Sequence, residues 1–595
     1  MARMLHSLRS ASLLVVLSLP ALSVVAPLTL AQEKQAGAQA AAAAEELDLK
    51  DEIDPSIAWL RSVQDAKSGS YGGGVEGTSW ALRALADCPR KYRRIDGPYV
   101  ARALDFLLQR QQPDGSIRDE NASDSVALEE TRVAVMALSR HADEITKPAL
   151  AKALAYVARA NAEPAGADIR APSSKPEALK IASQLLAQRA SDGSWDGPRG
   201  KVIETSRAIA VLSAAYPLTQ SGAPKPTSAR PLPKLSEVDR DKVIASIDRG
   251  AQFLLTKSKK GLFEGRPGKI DAGFTAMAIG ALECVPEPRP KPTQEAIDAG
   301  LKWLVSLQKP DGAIHDGELA NYVTSASILA LVRANRPEYK PVIQKARDFL
   351  VALQADEAEG YSPDNPYYGG NSYGDEQRPD LSNVQMALEA LSASGLEKGD
   401  VAYKRALKFL ERCQNRSESN DIKIADGDKL IVSGNDGGGA YAPGDSKAGF
   451  IEVDGKKIPR SYGSMSYALL RGYIFCGVPK DDPRMKACWE WLRKNYTLDV
   501  NPGFEASADP TAPYQGLYYY LHTMAKALSL YGEENVIDAQ GKANPWRKQL
   551  CGRIVAMQRK EDGAWLNENS PRWWEGNPLL ATCYAMLALD AAMPR

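Results

Sequence analysis

Ala299 to Arg333, AGLKWLVSLQKPDGAIHDGELANYVTSASILALVR, constrains this chain more than any other stretch. It reads as an amphipathic helix carrying Trp303, Leu304 and Leu307, a turn at Gln308-Lys309-Pro310-Asp311-Gly312, a polar crossing, and a second helix from about Asn321. The same order returns near the other end of the chain as Ile554-Val555-Ala556-Met557-Gln558, then Asp562-Gly563-Ala564-Trp565, then Leu580 to Leu587. Such a unit cannot bury its apolar face alone, so its copies have to stack.

Three copies precede a break in composition. Trp59-Leu60 with Gln64 and then Thr78 to Leu82 make the first; Phe106-Leu107, Gln111, Asp114-Gly115 and Thr131 to Ala134 the second; Gln188, Asp192-Gly193-Ser194-Trp195 and Thr205 to Leu212 the third. A further helix, Lys147 to Ala160, falls between the second and third. After Tyr216 the run containing Pro217, Pro224, Pro226, Pro231 and Pro233 reads as a linker rather than a helix. Six more hairpins follow, with second helices expected near Asp271, Asn321, Asp380, Ser461, Pro513 and Asn577. The expected organisation is therefore hairpin repeats over 47–216, a Pro-rich linker over 217–238 and a six-hairpin unit over 239–595.

The second helices are apolar and small-residued nearly all round, as in Phe274 to Leu282, which marks them as buried. An inner ring of these behind an outer ring of the more charged first helices satisfies both, and closure removes the exposed ends of a linear solenoid. The fold class expected is all-α, an α/α toroid. The turns Gln188 to Trp195 and Gln558 to Trp565 resemble the Gln-Trp repeat of squalene-hopene cyclases and the related repeat of protein prenyltransferase β subunits. The resemblance, to the terpene cyclase and prenyltransferase superfamily, implies six hairpins around a deep apolar funnel. For the Gln and Trp themselves a structural task suffices: the amide bonds backbone at the turn and the indole covers it.

Parallel inner helices gather their N-termini at one rim, where unpaired N–H groups and the helix dipoles favour polar ligand atoms. Asp271, Asn321, Asp380, Ser461, Asp509 and Asn577 fall there, and every one is also a good N-cap. Asp380-Leu381-Ser382-Asn383 occupies the place of the Asp-x-Asp-Asp acid of squalene-hopene and class II diterpene cyclases, whose middle Asp protonates an alkene or epoxide. Here Ser382 stands in the middle, and a hydroxyl cannot do that work. Asp380, at a helix N-terminus, is expected to be ionised. His522 is placed like the zinc-binding histidine of the prenyltransferases, but no Asp-x-Cys partner accompanies it; Cys551-Gly552-Arg553 likewise departs from the Cys-Gly-Glu-Gln of thioester toroids. The polar centre expected is Asp380 with His522. The ligand wall is expected from Ser382, Asn383, Tyr462, Tyr467, Tyr518, Tyr519 and Trp574, aromatic faces that suit an isoprenoid. No metal or cofactor is called for.

Lys plus Arg equals Asp plus Glu at 74 each, which argues against a nucleic-acid partner. Arg3, His6 and Arg9 before an apolar run from about Ala11 to Ala31 form the pattern of a secretory signal peptide, 1–31, followed by an Ala-rich lead-in, 32–46. A periplasmic or extracellular protein is expected, with an uncleaved membrane anchor as the other reading. The seven cysteines are expected as buried thiols. Two excursions modify the ring: Asn365 to Asn371, and Ile422 to Pro459, where Asp454-Gly455 signals a β-hairpin. An excursion of that length suggests a lid or docking surface. Its acidic residues Asp421, Asp426, Asp428 and Asp436 lack the spacing of a calcium loop. Two functions remain open: an exported terpene cyclase/mutase-like enzyme on an apolar, isoprenoid-type substrate, and a non-catalytic toroid that binds a lipid and meets an envelope protein partner.

Overall fold

The computed structural model describes residues 49–593 apart from 166–168, 170, 220–227, 236–237, 318, 375–377 and 428. The expected signal peptide and lead-in lie outside the described residues, as do Asp428 and much of the Pro-rich segment. Among the described residues there are nineteen α-helices, and none is long and apolar enough to cross a membrane.

The first hairpin pairs α1 (Leu49–Ser62) with α2 (Gly74–Asp87), and the second pairs α3 (Pro98–Gln109) with α4 (Asp124–Arg140). After a single helix α5 (Lys147–Arg159), α6 (Lys175–Leu186) pairs with α7 (Lys201–Thr219). In space α2 lies between α4 and α7, so the three hairpins form an arc in the order second, first, third. Helix α7 runs through Pro217 to Thr219 instead of ending at Tyr216. A proline in the last turn removes one hydrogen bond without stopping the helix at once.

Six outer helices follow: α8 (Arg240–Lys257), α10 (Lys291–Ser306), α12 (Lys340–Ala352), α14 (Val401–Cys413), α16 (Pro483–Lys494) and α18 (Trp546–Ala556). They alternate with six inner ones: α9 (Ala272–Leu282), α11 (Ala320–Ala334), α13 (Leu381–Ala393), α15 (Gly463–Phe475), α17 (Leu517–Tyr531) and α19 (Pro578–Ala591). Each inner helix packs on the next and α19 packs back on α9, so the ring closes as a six-hairpin α/α toroid. Asp271, Asp380 and Asn577 are N-caps, their side chains accepting from the amides of Phe274, Asn383 and Leu579. The helix expected near Pro513 begins at Leu517, because Pro513 sits in a short 3-10 turn and Gly516 takes φ 63°.

A glutamine at the end of most outer helices clasps each hairpin to the next. Gln308 Nε2 donates to Gly312 O in its own turn at 3.1 Å and to Val342 O, in the next outer helix, at 2.9 Å. Gln354 does the same to Gly369 and Ala402, and Gln414 to Gly437 and Arg484. Gln558 closes the circle, bonding Gly563 O at 2.7 Å and Ser246 O of the first outer helix at 2.9 Å. The indoles of Trp195 and Trp565 donate to Leu185 O and Ile554 O, satisfying carbonyls at the ends of their outer helices.

Short hairpins β1/β2 (Glu264–Arg266, Lys269–Ile270) and β7/β8 (Val536–Ile537, Ala543–Asn544) decorate the connections. The long excursion holds more than the single hairpin expected. Strands β3 (Lys423–Asp426), β4 (Lys429–Val432), β5 (Phe450–Val453) and β6 (Lys456–Pro459) form one sheet in the order β3-β4-β6-β5. Two antiparallel hairpins are joined by a parallel β4/β6 pair, and Asp454-Gly455, both at positive φ, makes the tight turn between β5 and β6. Asp421 pairs with Arg412 and Lys408, Asp426 with Lys457, and Asp436 accepts the Ser461 hydroxyl. The Asn365 to Asn371 loop ties the N-terminal arc to the ring: Asn365 Nδ2 donates to Ile95 O and the Tyr367 hydroxyl to the buried Asp96, which Arg378 also meets at 3.4 Å.

Candidate functional site

The N-terminal rim is occupied by the ring's own loops. Ala272 N donates to Asp316, Asn321 N to Tyr373 O, Leu381 N to Tyr441 O, Gly463 N to Pro502 O and Tyr519 N to Glu575. Each of these acceptors lies in a loop leading to the next inner helix, so amides expected to face a ligand are satisfied around the circle. Glu575 is fully buried, and burial pushes its carboxyl up to about 7 despite the amides it accepts from.

Below the rim, aromatic rings fill the bore. Tyr322 and Tyr584 share a hydroxyl contact at 3.0 Å, Tyr322 stacks on Tyr373, and Tyr519 meets Tyr584 edge-on at 5.7 Å. A polar chain then descends between α13 and α17. The Ser382 and Tyr519 hydroxyls are 2.7 Å apart, Gln385 Nε2 donates to Tyr519, and Arg471 Nη1 donates to Gln385 Oε1 at 2.6 Å. Arg471 Nη2 lies 2.6 Å from Glu389, whose other oxygen accepts from Lys526 at 2.8 Å. Although Glu389 is buried, these two cations hold its carboxyl well below the usual range.

The chain ends at a cavity of about 350 Å³ in the C-terminal half of the ring. Ala276, Met277, Gly280, Ala326, Leu329, Ala330, Met386 and Leu587 give it apolar walls, and Arg333, Glu389, His522 and Lys526 are its charged or titratable groups. His522 is 3% exposed, packs against the Tyr584 ring at 5.4 Å, and neither ring nitrogen has a hydrogen-bond partner among the described residues. Burial, reinforced by Lys526 and Arg471, holds it neutral far below the ordinary histidine range.

Of the residues the sequence singled out, His522 lines this cavity and the others do not. Asp380 is a buried N-cap bonded to Asn383 through both its amide N–H and its side-chain Nδ2, each at 2.9 Å. Burial pushes its carboxyl upward, against the expectation of a readily ionised group, while the bonds from Asn383 and Tyr441 oppose that shift. Asn383 also accepts from Asn321, and Ser382 is held by Tyr519. Tyr462 packs edge-on against Phe504, Tyr467 lies tilted against Tyr520, and the Tyr518 hydroxyl reaches Leu566 O. Trp574 is 44% exposed and meets Phe274 edge-on. These side chains belong to the rim and the core because they sit at or near inner-helix N-termini, whereas the hollow lies toward the other ends. Glu389, Lys526, Arg471 and Arg333 were missed. Their signal is an ionisable residue in the last two turns of an otherwise apolar inner helix, doubled by the i, i+4 spacings Gln385/Glu389 and His522/Lys526.

No family model matches the sequence, and no curated protein matches it. Solved structures similar to this chain include terpene cyclases. The type II terpene cyclase MstE from Scytonema shares 13% identity over 60% of this chain and 99% of its own, with a TM-score of 0.37. A protein from Actinoplanes shares 15% over 59% and 99%, with a TM-score of 0.36. The ent-copalyl diphosphate synthase from Streptomyces platensis shares 13% over 61% and 92%, with a TM-score of 0.22. The toroid stands on its own helix packing and clasps.

Proposed function

We propose that this protein is an exported toroid that binds one apolar, isoprenoid-type small molecule in its central cavity without protonating it. The observation that carries the proposal is the 350 Å³ hollow walled by alanine, glycine, methionine and leucine. At about 30 Å³ per water-sized group it holds roughly a dozen non-hydrogen atoms, and a longer ligand would protrude. Against catalysis in the cyclase style stand the acids themselves. Glu389 is kept anionic by two cations, and Asp380 is an N-cap outside the cavity lining. Protonating an alkene needs a carboxylic acid that meets the substrate.

The test is native mass spectrometry and solvent extraction of the purified chain beside Gly280→Leu. A Cβ on Gly280 has only Leu587 Cδ2 near it, at 4.0 Å, so the new side chain fills the cavity. The wild type is expected to retain or take up one small apolar molecule and Gly280→Leu to lose it, with the variant more stable by about 1 kcal/mol from helix propensity. A wild type that takes up none of a panel of isoprenoid alcohols and acids removes the proposal. Conversion of a bound molecule that stops in Asp380→Asn would establish the enzyme instead. Export rests on residues 1–31 and fails if the mature chain isolated from its native cell still begins at its first residues.

A further inference from the structure

The charge on the cavity wall does not balance. Glu389 is the shared counter-ion of two cations, Lys526 Nζ at 2.8 Å and Arg471 Nη2 at 2.6 Å, and Arg471 is wholly buried. Arg333, on the same wall, has its own carboxylate, Asp590, at 2.9 Å. Glu283, buried at the end of α9, does not supply the missing negative charge below about pH 8, because burial pushes its carboxyl up to about 8. Among the described residues one surplus positive charge therefore stands beside an apolar hollow, where an uncompensated charge is costly, and burial lowers the pKa of Lys526 in keeping with that cost.

One helical turn before Lys526, His522 lines the same hollow with both ring nitrogens unpartnered. A neutral imidazole carries one N–H that can donate. A buried polar side chain without a partner, next to an unbalanced ammonium, describes a receptor for an oxygen that carries negative charge. We propose that the ligand of the central cavity is an apolar molecule with a single anionic head, seated between His522 and Lys526, its hydrocarbon part lying along Ala276, Gly280, Ala326 and Ala330. This rests on reading the cavity as a ligand site and adds which class of ligand it selects. A hydrocarbon would leave both groups unanswered; an alcohol would answer His522 alone.

Decanoate, decanol and decane, each of a size the hollow admits, separate the cases when titrated below their aggregation limits into the full chain by calorimetry. Decanoate is expected to bind roughly tenfold or more tightly than decanol, the difference between a charge-assisted and a neutral hydrogen bond. Lys526→Met should erase that preference and leave decanol binding in place, Lys526→Arg should keep it, and His522→Phe should weaken decanoate. Melting curves establish that each variant is folded. Equal affinity for the three probes, or an undiminished preference for decanoate in Lys526→Met, overturns the inference while the cavity remains a binding site. Failure of all three to bind overturns the inference, and the proposed function falls with it when the isoprenoid panel fails as well. The three-probe comparison on the wild type decides even if a variant does not fold.

Discussion

Replacing Gln558 by leucine tests whether the toroid is held shut by its clasps. The amide of Gln558 serves Gly563 O at 2.7 Å and Ser246 O at 2.9 Å, and its oxygen accepts from the Ser246 hydroxyl at 2.7 Å and from Arg249. Leucine keeps most of the volume and removes every one of these bonds, leaving the buried Gly563 carbonyl without a donor, whereas Ser246 O, inside α8, keeps the amide of Gly250. An orphaned buried acceptor costs about 1–3 kcal/mol, so Gln558→Leu is expected to lose about that much. Urea unfolding followed by tryptophan fluorescence suits the measurement, because Trp565 is fully buried in the same turn. Gln344→Leu, at an exposed position on α12, is the control and should stay within about 0.5 kcal/mol of the wild type. A loss below about 1 kcal/mol for Gln558→Leu would refute the argument, since it would mean that water or local rearrangement satisfies that carbonyl as well as the clasp does.

Gly312→Ala should destabilise by about 1–3 kcal/mol in thermal unfolding: Gly312 holds φ 98°, and a Cβ there would lie 2.2 Å from Lys345 O in the next outer helix; an unchanged melting temperature would contradict it. Glu283→Gln probes pH. The folded-state pKa of Glu283 is about 8 against 4.5 unfolded, so its contribution is fully present below pH 4.5 and is lost as pH rises through 8. The glutamine variant should match the wild type near pH 4.5 and exceed it at pH 8.5 by a few kcal/mol, at about 1.4 kcal/mol per unit; parallel stability curves would disprove the assignment.

Much of the architecture was legible because hairpin repeats write their turns into the sequence. Gln, Asp-Gly and Trp recur at the same offsets, and each does its work within its own hairpin or on the next backbone, as at Gln558, Gly563 and Trp565. N-caps such as Asp271 and Asn577 are equally local. What was not legible depends on partners far away in sequence. The Asn365 to Asn371 loop looked like an insertion, and its task appears only when Asp96 and Ile95 lie against it. The β4/β6 pairing joins two hairpins that each look complete alone. The candidate site was displaced for a related reason. Polar residues near the helix N-termini suggested an open rim, but loops from the next hairpin, Asp316 and Glu575 among them, take up the amides.

Where the ring is hollow follows from side-chain length. Six helices packed 8–10 Å apart in a hexagon stand that same distance from the central axis, and subtracting the backbone radius of about 2.3 Å leaves about 6–8 Å to be filled from each side. A tyrosine closes most of that gap; an alanine closes little of it. Tyr322, Tyr519 and Tyr584 accordingly meet across the N-terminal part of the bore. One to two turns further along the same and neighbouring helices stand Ala326, Ala330, Ala276 and Gly280, and there the axis is empty. The same geometry explains the charges. Lys526 and Glu389 enter the space from α17 and α13, and their heads stand at the cavity instead of being sealed in a packed core. A ring with tyrosines at 326 and 330 would have the same clasps, the same caps and the same closure, and no room for a guest. Room for a ligand in this toroid is thus a property of a few short side chains, separable from the residues that make it a toroid.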